Sequence, residues 1–97
     1  MGSDATFSAD SVPVLRSGYR LQWEPAQEGY VLLYPEGMVT LNPSAAEILQ
    51  RCDGSRTAGQ LVQELQEAFP DNDVEPDVYE FLEAGHAHGW IQNRSSS

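Results

Sequence analysis

The sequence predicts an α+β fold, winged-helix-like, in which a three-stranded antiparallel meander is followed by three α-helices. Three observations carry this reading. Between Tyr19 and Leu41 the apolar residues fall at alternate positions or in short runs, as they do in half-buried and buried strands. "PAQEG" (Pro25 to Gly29) and "PEG" (Pro35 to Gly37) interrupt those runs, and connections this short suit antiparallel neighbours. Beyond Leu41 the apolar spacing becomes helical in three successive segments, each bounded by capping or breaking residues.

Each element can be justified in turn. Tyr19, Leu21 and Trp23 alternate with Arg20, Gln22 and Glu24 in the first strand. "YVLLY" (Tyr30 to Tyr34) is a second strand, apolar on both faces, and "MVTL" (Met38 to Leu41) is a third, placed at a sheet edge. Asn42 can cap the first helix through its side-chain oxygen, and Pro43 suits the first helical position, where an N–H has no partner anyway. Ser44 with Glu47 offers a competing capping box. Ala45, Ile48, Leu49 and Cys52 share one face, and "DG" (Asp53, Gly54) stops the helix. Thr57 with Gln60 is the next capping box; Leu61, Leu65, Ala68 and Phe69 line that helix's inner face, and Pro70 ends it. The third helix follows "DNDVE" and Pro76, turns Val78, Phe81, Leu82 and Gly85 inward, and stops near Gly89. "WI" (Trp90, Ile91) is expected to dock back as an extended tail. Residues 14–92 form one domain on this reading, with 1–13 and 93–97 as mobile polar ends, because "MGSDATFSAD" and "NRSSS" offer little to bury.

Composition narrows the function. Fifteen carboxylates face five arginines and no lysine, a formal net charge of −10. Nucleic-acid binding depends on neutralising phosphates, so this balance argues strongly against that class, and it also disfavours an anionic membrane surface. Cys52 is the only cysteine, which rules out an internal disulfide and a thiolate metal cluster and leaves a small buried apolar role. There is no charged start before an apolar run and no stretch long enough to span a bilayer, so the expected location is cytoplasmic. About 75 residues remain for a core, a size at which stability is marginal, and a partner or a second copy would help. The sequence leaves a homodimer and a monomer open.

Chemistry is sparse. His86 and His88, two apart on a helix, point to different faces and cannot share one metal, so they read as surface histidines near a helix end. Gly29, Gly37, Gly54 and Gly59 match no phosphate-binding spacing. No nucleophile stands with a base and an orienting partner, and no cofactor is expected. What remains is an apolar strand edge followed by helices, with Tyr79, Glu83 and His86 forming a second stripe beside the core stripe of the third helix. An open edge beside a helix is the geometry for adding a peptide strand.

"RLQWE", "GYVLLYPEGMVTLN", "SAAEILQRCDG", "FL" and "GWI", in that order and spacing, closely resemble the pyrroloquinoline quinone biosynthesis protein D family (PqqD), over roughly Val14 to Ile91. "LLYPEGM" followed by "LN", "SAAEIL" and "CDG" is a specific combination. The resemblance implies a winged-helix peptide chaperone of the kind that serves as a recognition element in ribosomal peptide pathways. Its implied partners are the precursor peptide of the PQQ pathway and the radical S-adenosylmethionine (SAM) enzyme that cross-links a glutamate and a tyrosine within it. The implied site is the third strand and the third helix: Met38, Val39, Thr40 and Leu41 would pair with the peptide, and Val78, Tyr79, Leu82, Glu83 and His86 would form the wall. The first helix with its "CDG" turn, or the outer sheet face bearing Trp23, Tyr30 and Tyr34, are expected contacts for the enzyme. Rival readings are a winged-helix transcription regulator, set against the acidic Asp77, Glu80 and Glu83 of the third helix, and a small hydrolase using His86 or His88.

Overall fold

Hydrogen-bonded turns set the sheet. The computed structural model describes residues 6–94. Among these, the chain order is β1 (Pro13–Leu15), β2 (Arg20–Glu24), β3 (Gly29–Tyr34), β4 (Gly37–Thr40), α1 (Pro43–Gln50), α2 (Ala58–Ala68), α3 (Val74–Ala87) and β5 (Ile91–Asn93). β2, β3 and β4 form the expected antiparallel meander with β3 central. Glu28 adopts a left-handed φ of 53° where the chain reverses between β2 and β3.

The helix boundaries follow the caps. Asn42 Oδ1 accepts the Ala45 N–H at 2.7 Å, and Pro43 opens α1. Thr57 and Gln60 close their capping box in both directions, at 2.9 and 3.1 Å. Leu32, Leu41, Ile48, Leu49, Leu61, Leu65, Val78, Leu82 and Ile91 meet in one core. Cys52 is buried in it, its thiol donating to the Ile48 carbonyl. Burial, reinforced by the Asp53 charge, pushes that thiol up to about 12, so it is not a nucleophile near neutral pH.

Three features differ from the sequence expectations. The "WI" tail does not merely dock: β5 pairs antiparallel with β1, Leu15 opposite Ile91, as a second two-stranded sheet. Ala68, the last residue of α2, and Phe69, where the backbone has left the helical conformation, are exposed, Phe69 by 40 %. Trp23 and Tyr30 face one another across β2 and β3, and Tyr30 lies on the same face as Leu32, so the aromatic side of the sheet is the inner one.

Two arginines tie α1 to α2. Arg51 bonds Glu47 at 2.8 Å and Glu64 at 3.2 Å, while Arg56 bonds Glu64 at 2.7 Å and approaches Asp53 at 3.3 Å. Hydrogen bonding from Arg56 above all holds the Glu64 carboxyl below its ordinary range, and Ser55 does the same for Asp53. A carboxylate with a lowered folded-state value stabilises the fold above its unfolded pKa and loses that contribution as pH falls through the folded value. Melting temperature is therefore expected to fall as pH drops below about 4. The fall should be shallower in Arg56→Met, measured by circular dichroism across a pH series; the groups are exposed, so the effect is small.

Gly85 sits where α3 meets β5. A Cβ there would lie 2.5 Å from Cδ1 and 3.1 Å from Cγ1 of the fully buried Ile91. Gly85→Ala is expected to cost about 1–3 kcal/mol in denaturant unfolding, and an unchanged midpoint would contradict this packing.

Candidate functional site

The free border of the sheet is β4. Leu41 N–H donates to Tyr30 O at 3.1 Å, and antiparallel bonding alternates along a ladder. Val39 and Gly37, opposite Leu32 and Tyr34, therefore turn their backbone groups toward β3. Met38 and Thr40 turn theirs outward. No backbone partner for that outer side is found among the described residues. Side chains alternate the other way: Val39 packs on the core and Leu41 is buried, whereas Met38 is 52 % exposed and Thr40 is exposed.

Helical geometry divides α3 into three strips. Val78, Leu82 and Gly85 form the buried strip. Val78 and Leu82 are 1 % and 0 % exposed, so these two expected wall residues belong to the core and have no surface to offer a guest. A charge at Leu82 would test folding, not binding.

Tyr79, Glu83 and His86 form one flank, and it carries the chain's own start. Glu83 Oε2 accepts the backbone N–H groups of Thr6 and Phe7 at 2.8 and 3.0 Å. Phe7, only 4 % exposed, meets the His86 ring edge-on at 5.9 Å. Burial, then the charges of Glu75 and Asp10, push the Tyr79 phenol above its ordinary value. Beyond Phe7 the leader caps α2, whose first N–H groups lack partners within the helix. Ala58 N–H donates to Ser11 O at 2.7 Å and Gly59 N–H to Ala9 O at 3.0 Å. A Cβ on Gly59 would press to 3.3 Å from that carbonyl, which is why a glycine serves there. Asn93 binds the same segment through Thr6 O and Ser11 Oγ, both at 2.9 Å.

Residues 6–13, 93 and 94, expected as parts of mobile ends, are bonded to the rest of the fold through these contacts and the Arg94–Val12 backbone bond. Residues 1–5 and 95–97 lie outside the described residues. One buried phenylalanine in a polar stretch was the only sequence signal for this.

The opposite flank carries Asp77, Phe81, Ala84 and His88. Asp77 faces the start of α1, sharing a cavity with Pro43 and Ser44, and β4 runs into α1 through Leu41 and Asn42. Phe81 is half-buried, and His88 stacks on Trp90 at 4.8 Å. Phe81, Ala84 and His88 were not among the expected wall residues, because an apolar stripe does not reveal which of its two sides the chain's own N-terminal segment occupies.

Residues 29–91 match the family model described as "Coenzyme PQQ synthesis protein D (PqqD)". The chain belongs to the PqqD family. A "PqqA binding protein" of Pseudomonas paraeruginosa is 55 % identical to it over 86 residues, covering 88 % of this chain and 94 % of the relative. One of Azotobacter vinelandii is 54 % identical over 84 residues, covering 86 % and 91 %. Among solved structures, the solution NMR structure of the PqqD truncation of Methylobacterium extorquens PqqCD matches with a TM-score of 0.76 at 27 % identity, over 92 % of this chain and 97 % of that one. That protein represents a functional, stand-alone recognition element for ribosomally synthesised and post-translationally modified peptides. The α+β meander with three helices is thus the fold of a PqqD-family recognition element. Among the described residues no helix is long and apolar enough to cross a membrane, and no cluster of three or more His, Cys, Asp or Glu could hold a metal ion.

The leader's role in the fold is testable. Phe7→Ala is expected to cost about 3 kcal/mol and Glu83→Ala about 1–2 kcal/mol in urea unfolding. If neither moves the midpoint, the leader is not held on α3 in solution.

Proposed function

We propose that this chain is a non-catalytic peptide adaptor of PQQ synthesis. It binds the precursor peptide PqqA along the open border of β4 and presents it, in the cytoplasm, to the radical SAM enzyme that cross-links it. The observation that carries the reading is the pair of outward-facing backbone units at Met38 and Thr40, on an edge strand whose Val39 and Leu41 share one core with Val78 and Leu82 of α3. The names of its relatives and the structural match to a recognition element point the same way.

Physical chemistry assigns roles within that border. A guest strand pairing with Met38 and Thr40 gains up to four backbone hydrogen bonds, each worth roughly 1 kcal/mol net. Ordering its residues costs about 1–2 kcal/mol apiece. Backbone pairing therefore sets register and direction, and buried apolar side chains must provide the affinity. On this reading Met38, Val39, Thr40 and Leu41 supply the strand, and Phe81, Ala84 and His88 supply the wall on the flank that the leader leaves open. A guest on the Tyr79, Glu83 and His86 flank would first have to displace Phe7.

The acidic surface fits this function and opposes duplex binding: α3 bears Glu75, Asp77, Glu80 and Glu83 and no arginine or lysine, so it would repel phosphates.

Calorimetric titration with the precursor peptide tests the site. Thr40→Pro removes an outward N–H without touching the ladder to β3, a position where an edge strand tolerates proline, and should weaken binding about tenfold. Phe81→Ala should weaken it at least as much, with circular dichroism confirming the fold. Phe7→Ala should leave affinity unchanged; tighter binding would move the guest to the leader's flank. Full affinity in both folded groove variants would sink the assignment.

A further inference from the structure

A cavity of about 460 Å³ opens where the three helices converge. Half-buried Val74 and exposed Phe69 give it apolar surface over the buried Ile48, Leu65 and Val78, and Asp73 and Asp77 stand at its rim. Phe69, 40 % exposed at the end of α2, leans over the same space. An exposed phenylalanine beside this opening is apolar surface left in water.

Both walls of the proposed peptide groove run into this cavity. β4 ends at Thr40, and the next turn of chain, through Leu41 and Asn42, reaches Pro43 and Ser44 on the cavity lip. On α3 the flank of Phe81 leads, one helical turn toward the N-terminus, to Asp77, and then to Val74. A guest strand that passes the Thr40 end of β4 is delivered to the opening.

Charge specifies the occupant. Among the described residues Glu47, also at the lip, is already paired with Arg51 at 2.8 Å. Asp73 and Asp77 take part in none of the ion pairs found there, and Asp73, at the head of α3, makes no capping bond with its side chain. None of Arg16, Arg20, Arg51, Arg56 or Arg94 lines the cavity. Apolar surface under two uncompensated carboxylates fits a large apolar side chain with a lysine or arginine beside it.

We infer that this three-helix cavity is a side-chain-reading subsite of the peptide groove. It takes one apolar anchor of the guest and, through Asp73 and Asp77, a neighbouring cation. The inference rests on the β4 reading, and its test separates the two. The experiment titrates the full chain with the precursor peptide and with the same peptide carrying glutamine in place of every lysine and arginine.

The double variant Asp73→Asn/Asp77→Asn keeps polar residues at the start of α3 and should weaken the native peptide about fivefold while leaving the glutamine peptide unaffected. Ser44→Trp, which fills the opening from its exposed lip, should weaken both peptides about tenfold. An unchanged native titration in both variants overturns the subsite, as does an equal loss with both peptides in the aspartate variant. If those results come with a loss in Thr40→Pro, the strand reading survives and only the subsite is lost. A loss in the cavity variants with none in Thr40→Pro overturns the route through β4, and with it the inference that the cavity is the groove's extension.

Discussion

One carboxylate decides which side of α3 is available. Glu83 gathers the N–H groups of two consecutive residues, Thr6 and Phe7, and a charged acceptor holding backbone donors is among the stronger hydrogen-bonding arrangements a surface can offer. Phe7 then buries its ring against His86, and the leader continues on to cap α2. With residues 6 and 7 committed to the Tyr79 flank, no backbone partner among the described residues pairs with the outer edge of β4. The groove proposed above is thus the one that this segment leaves free.

The same economy shows in how a small core is closed. Fewer than a hundred residues bury limited apolar area, and the two ends of the chain are recruited to extend it. β1 and β5 lie almost a whole sequence apart, yet they pair and seal Ile91 against Gly85. Leu15 N–H reaches the Cys52 carbonyl at 3.1 Å, joining that small sheet to the turn after α1. Losing either terminus would therefore open the core, although neither looks structural in composition.

What could be read in the sequence was local. The meander, the Asn42–Pro43 and Thr57–Gln60 caps and the buried strip of α3 each depend on residues a few positions apart, and period or capping chemistry exposes them directly. β1 and β5 could not be found that way: three residues each carry too little pattern, and their partner is distant in the chain. The leader escaped for a related reason, since a single phenylalanine among small polar residues gains meaning only once Glu83 and His86 stand beside it. The candidate site was half legible. Met38 to Leu41 read as an edge strand from alternation and position, while their expected pairing with a peptide came from the family resemblance. Its helical wall required knowing which flank of α3 is already taken, and that is a tertiary fact.

A three-stranded sheet has two borders, and the question is why only one should receive a guest. β2 carries Arg20, Gln22 and Glu24 along its length, and charged or polar side chains on an edge strand discourage pairing with another chain. β4 reads Gly37, Met38, Val39 and Thr40, with no charge at all. An uncharged edge is a hazard for any protein that meets copies of itself, because like edges pair. Here the surrounding surface answers the hazard: a net charge of −10 makes two copies repel one another. A guest whose charge is opposite, or absent, pays no such penalty. The acidity that opposes nucleic acid therefore also opposes pairing of like edges, and it favours a guest strand of opposite or no charge at the proposed border.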